Sequence, residues 1–312
     1  MKKIIFMGTP DFAVPVLERL ITEGYQIDLV VTQPDRPRGR KKILTPPPVK
    51  VAAEKHDIDV FQPEKIKDNY DEIKIRNPDL IVTAAFGQLL PKGLLDIPSY
   101  GCINVHASLL PKLRGGAPIH YAILEGHEKT GISIMYMAEK LDAGDVISQQ
   151  EIKIADNDDV GSLHKKLAVV GSDLLAETIP RIFSEEINAT PQDEQLATFA
   201  PNITREQEKI NWNQSLQKVY NHIRGLYPWP VAFTTWRGKV FKVYEASKTN
   251  QSTTAKAGTI VATNEDGLIV ATGDSQAIIL TMVQPAGKKK MSASDFLRGV
   301  GSKMEVGEIL GE

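Results

Sequence analysis

KIIFMGTPDFAVPVLERLITEG, residues 3–24, reads as a strand, a tight turn and a helix. The run Ile4 to Met7 is apolar without interruption, which suits a strand covered on both faces rather than one with a wet side. Gly8, Thr9, Pro10 and Asp11 end it, and Val14, Leu17, Leu20 and Ile21 then recur at helical spacing as far as Gly24. The pattern returns downstream. Ile27 to Thr32 is strand-like, a loop runs to about Pro47, and Val49 to Lys55 is helical. Leu80 to Ala84 and Cys102 to His106 are further strands, and Ala117 to Leu124 is a helix. Ile132 to Met137 and Val146 to Ile154 form a strand pair, and Leu163 to Phe183 is a long closing helix. Strands alternating with helices predict an α/β domain on a mostly parallel sheet, here over residues 1–186.

The character changes near residue 187. INATPQDEQLATFAPNITREQEKINW is polar, holds two prolines and keeps neither period for long, so residues 187–207 are expected to be a linker. A helix at about Leu216 to Arg224 and five short β-rich runs between Val231 and Met282 predict a small β-barrel over residues 208–312. Two domains suit a chain of 312 residues. With 42% hydrophobic and 24% charged residues it is neither disordered nor fibrous. The net charge of −2 conceals an asymmetry: residues 206–312 carry 13 Lys/Arg against 10 Asp/Glu, leaving the excess of acid on the first part. A polyanion partner would therefore have to meet a local basic patch. Cys102 is the single cysteine, which excludes an intramolecular disulfide and points to a reduced, cytoplasmic setting. No stretch approaches the ~18 apolar residues of a membrane span.

Asn104 and His106 lie two apart on a predicted strand, so both face one side, at the carboxyl end where open α/β sheets place their ligands. A polar pair satisfied beneath a loop is the plain alternative. Favouring a site, the strand leads into Ser108-Leu109-Leu110-Pro111 and on through Gly115-Gly116, an elaborate loop whose leucines could line a pocket. Asp142, in Leu141-Asp142-Ala143-Gly144, is either ordinary turn chemistry or the carboxylate that orients His106. Cys102 shares the strand face but sits deeper, which favours packing over a nucleophilic role. The first turn, with one glycine and Pro10, lacks a phosphate cradle. The remaining histidines have no ligand spacing, so no catalytic metal is expected. Arg36, Arg38, Arg40, Lys41 and Lys42 crowd one loop, and Lys288, Lys289 and Lys290, with Arg298 nearby, form a second cluster. Either is solvated surface or a polyanion contact of the salt-dependent kind.

Asn104-x-His106-x-Ser108-Leu109-Leu110-Pro111 together with Leu141-Asp142-Ala143-Gly144 resembles the formyltransferases that use 10-formyltetrahydrofolate. The turn Gly8-Thr9-Pro10-Asp11-Phe12-Ala13, Gln33-Pro34-Asp35-Arg36-Pro37, Pro228-Trp229-Pro230 and Gln284-Pro285-Ala286-Gly287-Lys288 narrow the likeness to members whose acceptor is methionyl-initiator tRNA. The resemblance implies a Rossmann-like catalytic domain followed by an OB-like barrel that helps grip tRNA. It implies catalytic roles for Asn104, His106 and Asp142, and folate contacts from Ser108, Leu109, Leu110 and Pro111. The stretch Phe86, Gly87, Gln88, Leu89 and Leu90 would offer backbone partners to the pterin. The basic loop, Arg40 in particular, would enter the acceptor-stem region. The implied protein is a cytoplasmic monomer that uses no metal, DNA or membrane. A formyltransferase of nucleotide sugars or small amines shares the trio without needing a basic barrel, and a non-enzymatic RNA-binding module would not need the trio at all.

Overall fold

The computed structural model describes residues 2–39 and 41–312, so the expectation for Arg40 lies outside the described residues, as does that for the Arg38 side chain. The chain divides into two compact units. One comprises the residues up to Pro118 with Lys129–Lys153 and His164–Pro201; the other comprises Ile119–Glu128, Ile154–Leu163 and Asn202–Glu312.

In chain order the first part holds β1 (Lys3–Gly8), α1 (Ala13–Thr22), β2 (Gln26–Val31), β3 (Arg36–Arg38), β4 (Ile43–Thr45), α2 (Pro48–Lys55), β5 (Val60–Phe61), α3 (Asp71–Arg76), β6 (Leu80–Ala84), α4 (Lys92–Leu95) and β7 (Cys102–His106). After α5 (Pro118–Leu124) come β8 (Lys129–Tyr136), β9 (Val146–Lys153) and α6 (Val160–Phe183). Seven strands form one sheet in the order β5-β2-β1-β6-β7-β8-β9. Its members from β5 to β7 run parallel, and β8 and β9 are added antiparallel. Ile4, Ile5, Phe6 and Met7 are wholly buried, as their unbroken run predicts. The order of strands reverses at β1, between β2 and β6, and beyond the carboxyl ends at such a reversal is where open α/β sheets bind their ligands. The loop expected up to Pro47 is instead partly a hairpin: β3 and β4 pair with Arg36 opposite Thr45 and Arg38 opposite Ile43. Gly39 and Lys42 both take positive φ, the twist that a tight reversal demands and that hydrophobic periodicity does not report.

The second unit contains α7 (Leu216–Arg224), β10 (Phe233–Trp236), β11 (Lys239–Ser252), β12 (Ile260–Thr263), β13 (Leu268–Ala271), β14 (Gln276–Pro285), β15 (Met291–Ser292) and α8 (Ala293–Arg298). Its antiparallel sheet runs β10-β11-β14-β13-β12, with β15 on β14. Phe241 and Val243 of β11, Ile260 of β12, Val270 of β13 and Leu280 of β14 meet α7 and α8 in one apolar cluster. Four strands ~4.8 Å apart thus share one cluster with the two helices, on the face of the sheet that α7 and α8 cover. Register shifts along β11 bend that strand.

Candidate active site

Strand β7 points Asn104 and His106 to the same side. The Thr83 hydroxyl, on neighbouring β6, donates to Asn104 Oδ1 at 2.8 Å. That engages the carbonyl end of the carboxamide and leaves its NH2 end as the donor available to a ligand. Thr83 is the one polar residue in an otherwise apolar strand, a signal the periodicity carries but does not assign.

His106 is buried, and its Nε2 donates to the Leu113 carbonyl at 3.1 Å. That bond leaves Nδ1 facing Asp142, whose Oδ2 lies 3.8 Å away, within ion-pair range but beyond a direct hydrogen bond. The carboxylate is itself held, because the Gly115 amide donates to Asp142 Oδ2 at 2.8 Å. Gly115 must be glycine here: its φ is +121°, and a Cβ would come within 2.7 Å of the Ala200 carbonyl. The three residues singled out in the sequence thus come together at one end of the sheet.

The loop after β7 is fastened from below. Ser133 Oγ, on β8, donates to the Ser108 carbonyl at 2.7 Å and accepts from the Leu110 amide at 3.0 Å. Gln149 on β9 donates to the Leu110 carbonyl at 2.9 Å. Ser108 turns inward to the Lys112 carbonyl at 2.6 Å, and the Leu110–Pro111 peptide is cis. Ser133 and Gln149 escape a sequence reading because antiparallel pairing, not chain proximity, brings them here. Beyond β6, Phe86 and Leu90 are buried and Leu89 is exposed. The Phe86 carbonyl accepts from Thr9 and from Gln33, both at 3.1 Å. Among the described residues, the peptide groups of Gly87 to Leu90 make no backbone–backbone hydrogen bond.

Cys102 packs into the apolar cluster beneath the sheet, and burial, aided by the nearby Asp96 charge, pushes its thiol up to about 12. A thiol so far from ionising is no nucleophile. Among the described residues no group of three or more His, Cys, Asp or Glu could hold a metal ion, and no helix is long and apolar enough to cross a membrane.

The basic residues divide by their surroundings. Lys41 and Lys42 are exposed on the hairpin beside Ile43 and Leu44, while Arg36 is paired with Glu64. In the second unit Lys288 and Lys289 are exposed, and Arg298 is tied to Asp295 at 2.6 Å. Lys290 lies over the rings of Tyr227 and Tyr244, 4.8 Å from each centroid, with Glu245 at 3.2 Å.

Two family models match the sequence: Formyl transferase over residues 1–179, and Formyl transferase, C-terminal domain, over residues 202–301. A methionyl-tRNA formyltransferase from Halalkalibacterium halodurans is 61% identical over 311 residues, covering 99% of this chain and 98% of its own. One from Bacillus subtilis is 58% identical over 313 residues, covering 100% and 98%. Among solved structures, an N-formyltransferase from Helicobacter canadensis superposes with a TM-score of 0.68 at 18% identity, covering 91% of this chain and 100% of that one. The methionyl-tRNA formyltransferase from Clostridium thermocellum gives 0.57 at 18% identity, covering 80% and 95%. At such identities the structures speak for the fold alone. The sequence matches extend through both units, and the chain that carries this amide, imidazole and carboxylate belongs to the formyl transferase family.

Proposed function

We propose that this enzyme transfers the formyl group of 10-formyltetrahydrofolate to the α-amine of methionyl-initiator tRNA. The observation that carries the reading is identity of 58–61% along the whole length, second unit included, to relatives named methionyl-tRNA formyltransferase. The folate supplies the formyl carbon: the amine nitrogen forms a bond to it, its bond to N10 breaks, and N10 departs as tetrahydrofolate with a proton equivalent to the one the amine gives up. The pterin would meet the peptide groups of Gly87 to Leu90, and Ser108 to Pro111 would line its path. Asn104 would donate its amide hydrogens to the formyl oxygen as negative charge grows there during attack by the amine. An α-amine must shed a proton as it attacks, and the imidazole of His106 is suited to receive or relay it. Asp142 Oδ2 faces Nδ1 of that imidazole across 3.8 Å. In this assignment residues 1–186 perform the transfer, residues 208–312 hold the tRNA, and 187–207 join them. The exposed cations Lys41, Lys42, Lys288 and Lys289 would contact phosphates, a mode that positions RNA without reading its sequence.

The test is formyl transfer from 10-formyltetrahydrofolate to charged initiator tRNA. Turnover there, with none on a nucleotide amino-sugar or a small amine, is the expected result. Turnover on a small amine by residues 1–205 alone would transfer the reading to a small-molecule formyltransferase, and no turnover on any acceptor would end it.

A further inference from the structure

The stretch that composition marks as a connector is bonded to both halves of the site from behind. The Leu113 amide donates to Thr198 Oγ1 at 2.9 Å, while the carbonyl of the same residue receives the His106 bond. The Arg114 amide donates to the Thr198 carbonyl at 2.9 Å, and the Ala200 amide donates to the Arg114 carbonyl at 2.7 Å. On the other side, Gln192 Nε2 donates to the carbonyls of Asp142 and Gly144, at 2.9 and 2.7 Å. Gln192 Oε1 accepts from Arg114 Nε and Nη2, at 3.0 and 2.8 Å. The carboxamide admits only this orientation, since the reverse would set its oxygen against two carbonyl oxygens and its NH2 against a guanidinium. Arg114 is completely buried and pairs with Glu194 at 2.9 Å, and Glu194 also binds Lys140 two residues before the aspartate.

The turn so fastened is a demanding one. Asp142 has φ +47°, and a Cβ on Gly144 would fall 1.9 Å from the Tyr136 carbonyl. A residue in the left-handed region stays there when its surroundings fix it. We propose that Gln192 is a positioning residue for Asp142, its carboxamide clamping the Asp142–Gly144 turn to buried Arg114 so that the carboxylate keeps its place before His106. Gln192 touches neither substrate nor reacting atoms. It acts through the backbone of the turn, and a displacement of the carboxylate by even about 1 Å can cost of order 10²-fold in rate. The proposal rests on the formyl-transfer reading for its kinetic consequence but not for its geometry.

Gln192→Glu is the discriminating variant, because it keeps the acceptor for Arg114 and removes the donor to both carbonyls. Formyl transfer by the wild type reports on the reaction, whereas the imidazole 15N resonances of His106, recorded without substrate, report on the clamp; the two can fail separately. The expected result is a kcat lowered about 10- to 100-fold, KM for both substrates within about twofold, and His106 resonances displaced in the same direction as by Asp142→Asn. Adding Gln192→Glu to Asp142→Asn should slow the enzyme no further, since both act on one carboxylate. Wild-type kcat and wild-type His106 resonances in a folded Gln192→Glu protein overturn the proposal, and so does a fully multiplicative double variant. Should the glutamate unfold the chain, Gln192→Met removes the same donor with a neutral side chain of similar length and is judged by the same outcomes.

Discussion

Two segments of the first unit look alike as polar, proline-containing loops, and they end up in opposite circumstances. The hairpin of residues 36–45 projects Ile43 and Leu44, 62% and 63% exposed, alongside Lys41 and Lys42, with Arg36 to Glu64 as an exposed ion pair at its base. The segment from Thr190 to Ala200 is pinned at Val146, Leu113, Arg114, Asp142 and Gly144, and its Gln192 also holds a guanidinium that solvent does not reach. The difference separates two tasks. A segment held by buried partners fixes the geometry of a site, and one held by surface pairs, worth about 0–1 kcal/mol each, is free to meet a large partner. Substitutions in the first kind should therefore appear in folding and kcat, and in the second kind in affinity.

The largest effect on stability tests the pinned segment. Arg114→Met removes the buried guanidinium and leaves Gln192 Oε1 without its donor, so thermal or urea unfolding should show a loss of about 1–3 kcal/mol, the cost of a polar group left unpaired. Stability equal to the wild type would mean that the segment is not pinned through Arg114. Next comes the chemistry that both segments serve. Asn104→Ala should lower kcat about 10²–10³-fold in a steady-state assay, the cost of one donor to a developing oxyanion, with tRNA binding retained. Equal loss of binding would make Asn104 a structural residue.

The hairpin gives a smaller and different signature. Replacing Arg36, Arg38, Arg40, Lys41 and Lys42 by neutral residues should weaken tRNA binding at least tenfold. It should also flatten the dependence of log K on log salt by about 0.7–0.9 for each phosphate no longer neutralised, with kcat at saturating tRNA preserved. An unchanged slope would return the hairpin to ordinary solvated surface. The smallest effect concerns Glu194. Arg114 and then Lys140 hold its carboxyl down to about 2, against an ordinary 4.5. A carboxyl lowered on folding contributes stability in full above about pH 4.5, and the contribution is lost as pH falls toward 2. The stability difference between wild type and Glu194→Gln, followed by urea unfolding, should be constant above that range and vanish below it; a difference that grows on acidification would refute the pairing.

Much of this was legible in the residues. The buried run Ile4 to Met7, the period-2 pair Asn104 and His106, and the helical spacing after Gly8 each depend on neighbours a few positions away, so the chain displays them directly. The depth of Cys102 along the strand already favoured packing over a nucleophilic role. Thr83, Ser133 and Gln149 could not be found, because each meets the site across a strand pairing that spans tens of residues. Gln192 was hidden further by sitting where polar composition and proline suggest nothing but a connector.

The sequence by itself determined the longer strands and helices, the alternation that makes the sheet mostly parallel, the family and the three side chains that meet at β7, since hydrophobic periodicity and short motifs are local properties of a chain. Only the tertiary structure decided which way Asn104 presents its carboxamide, which nitrogen of His106 is spent on Leu113, and that a distant glutamine clamps the turn bearing Asp142. Those are matters of hydrogen-bond partners, and a buried polar group takes whichever partner the fold brings to it, at whatever separation along the chain.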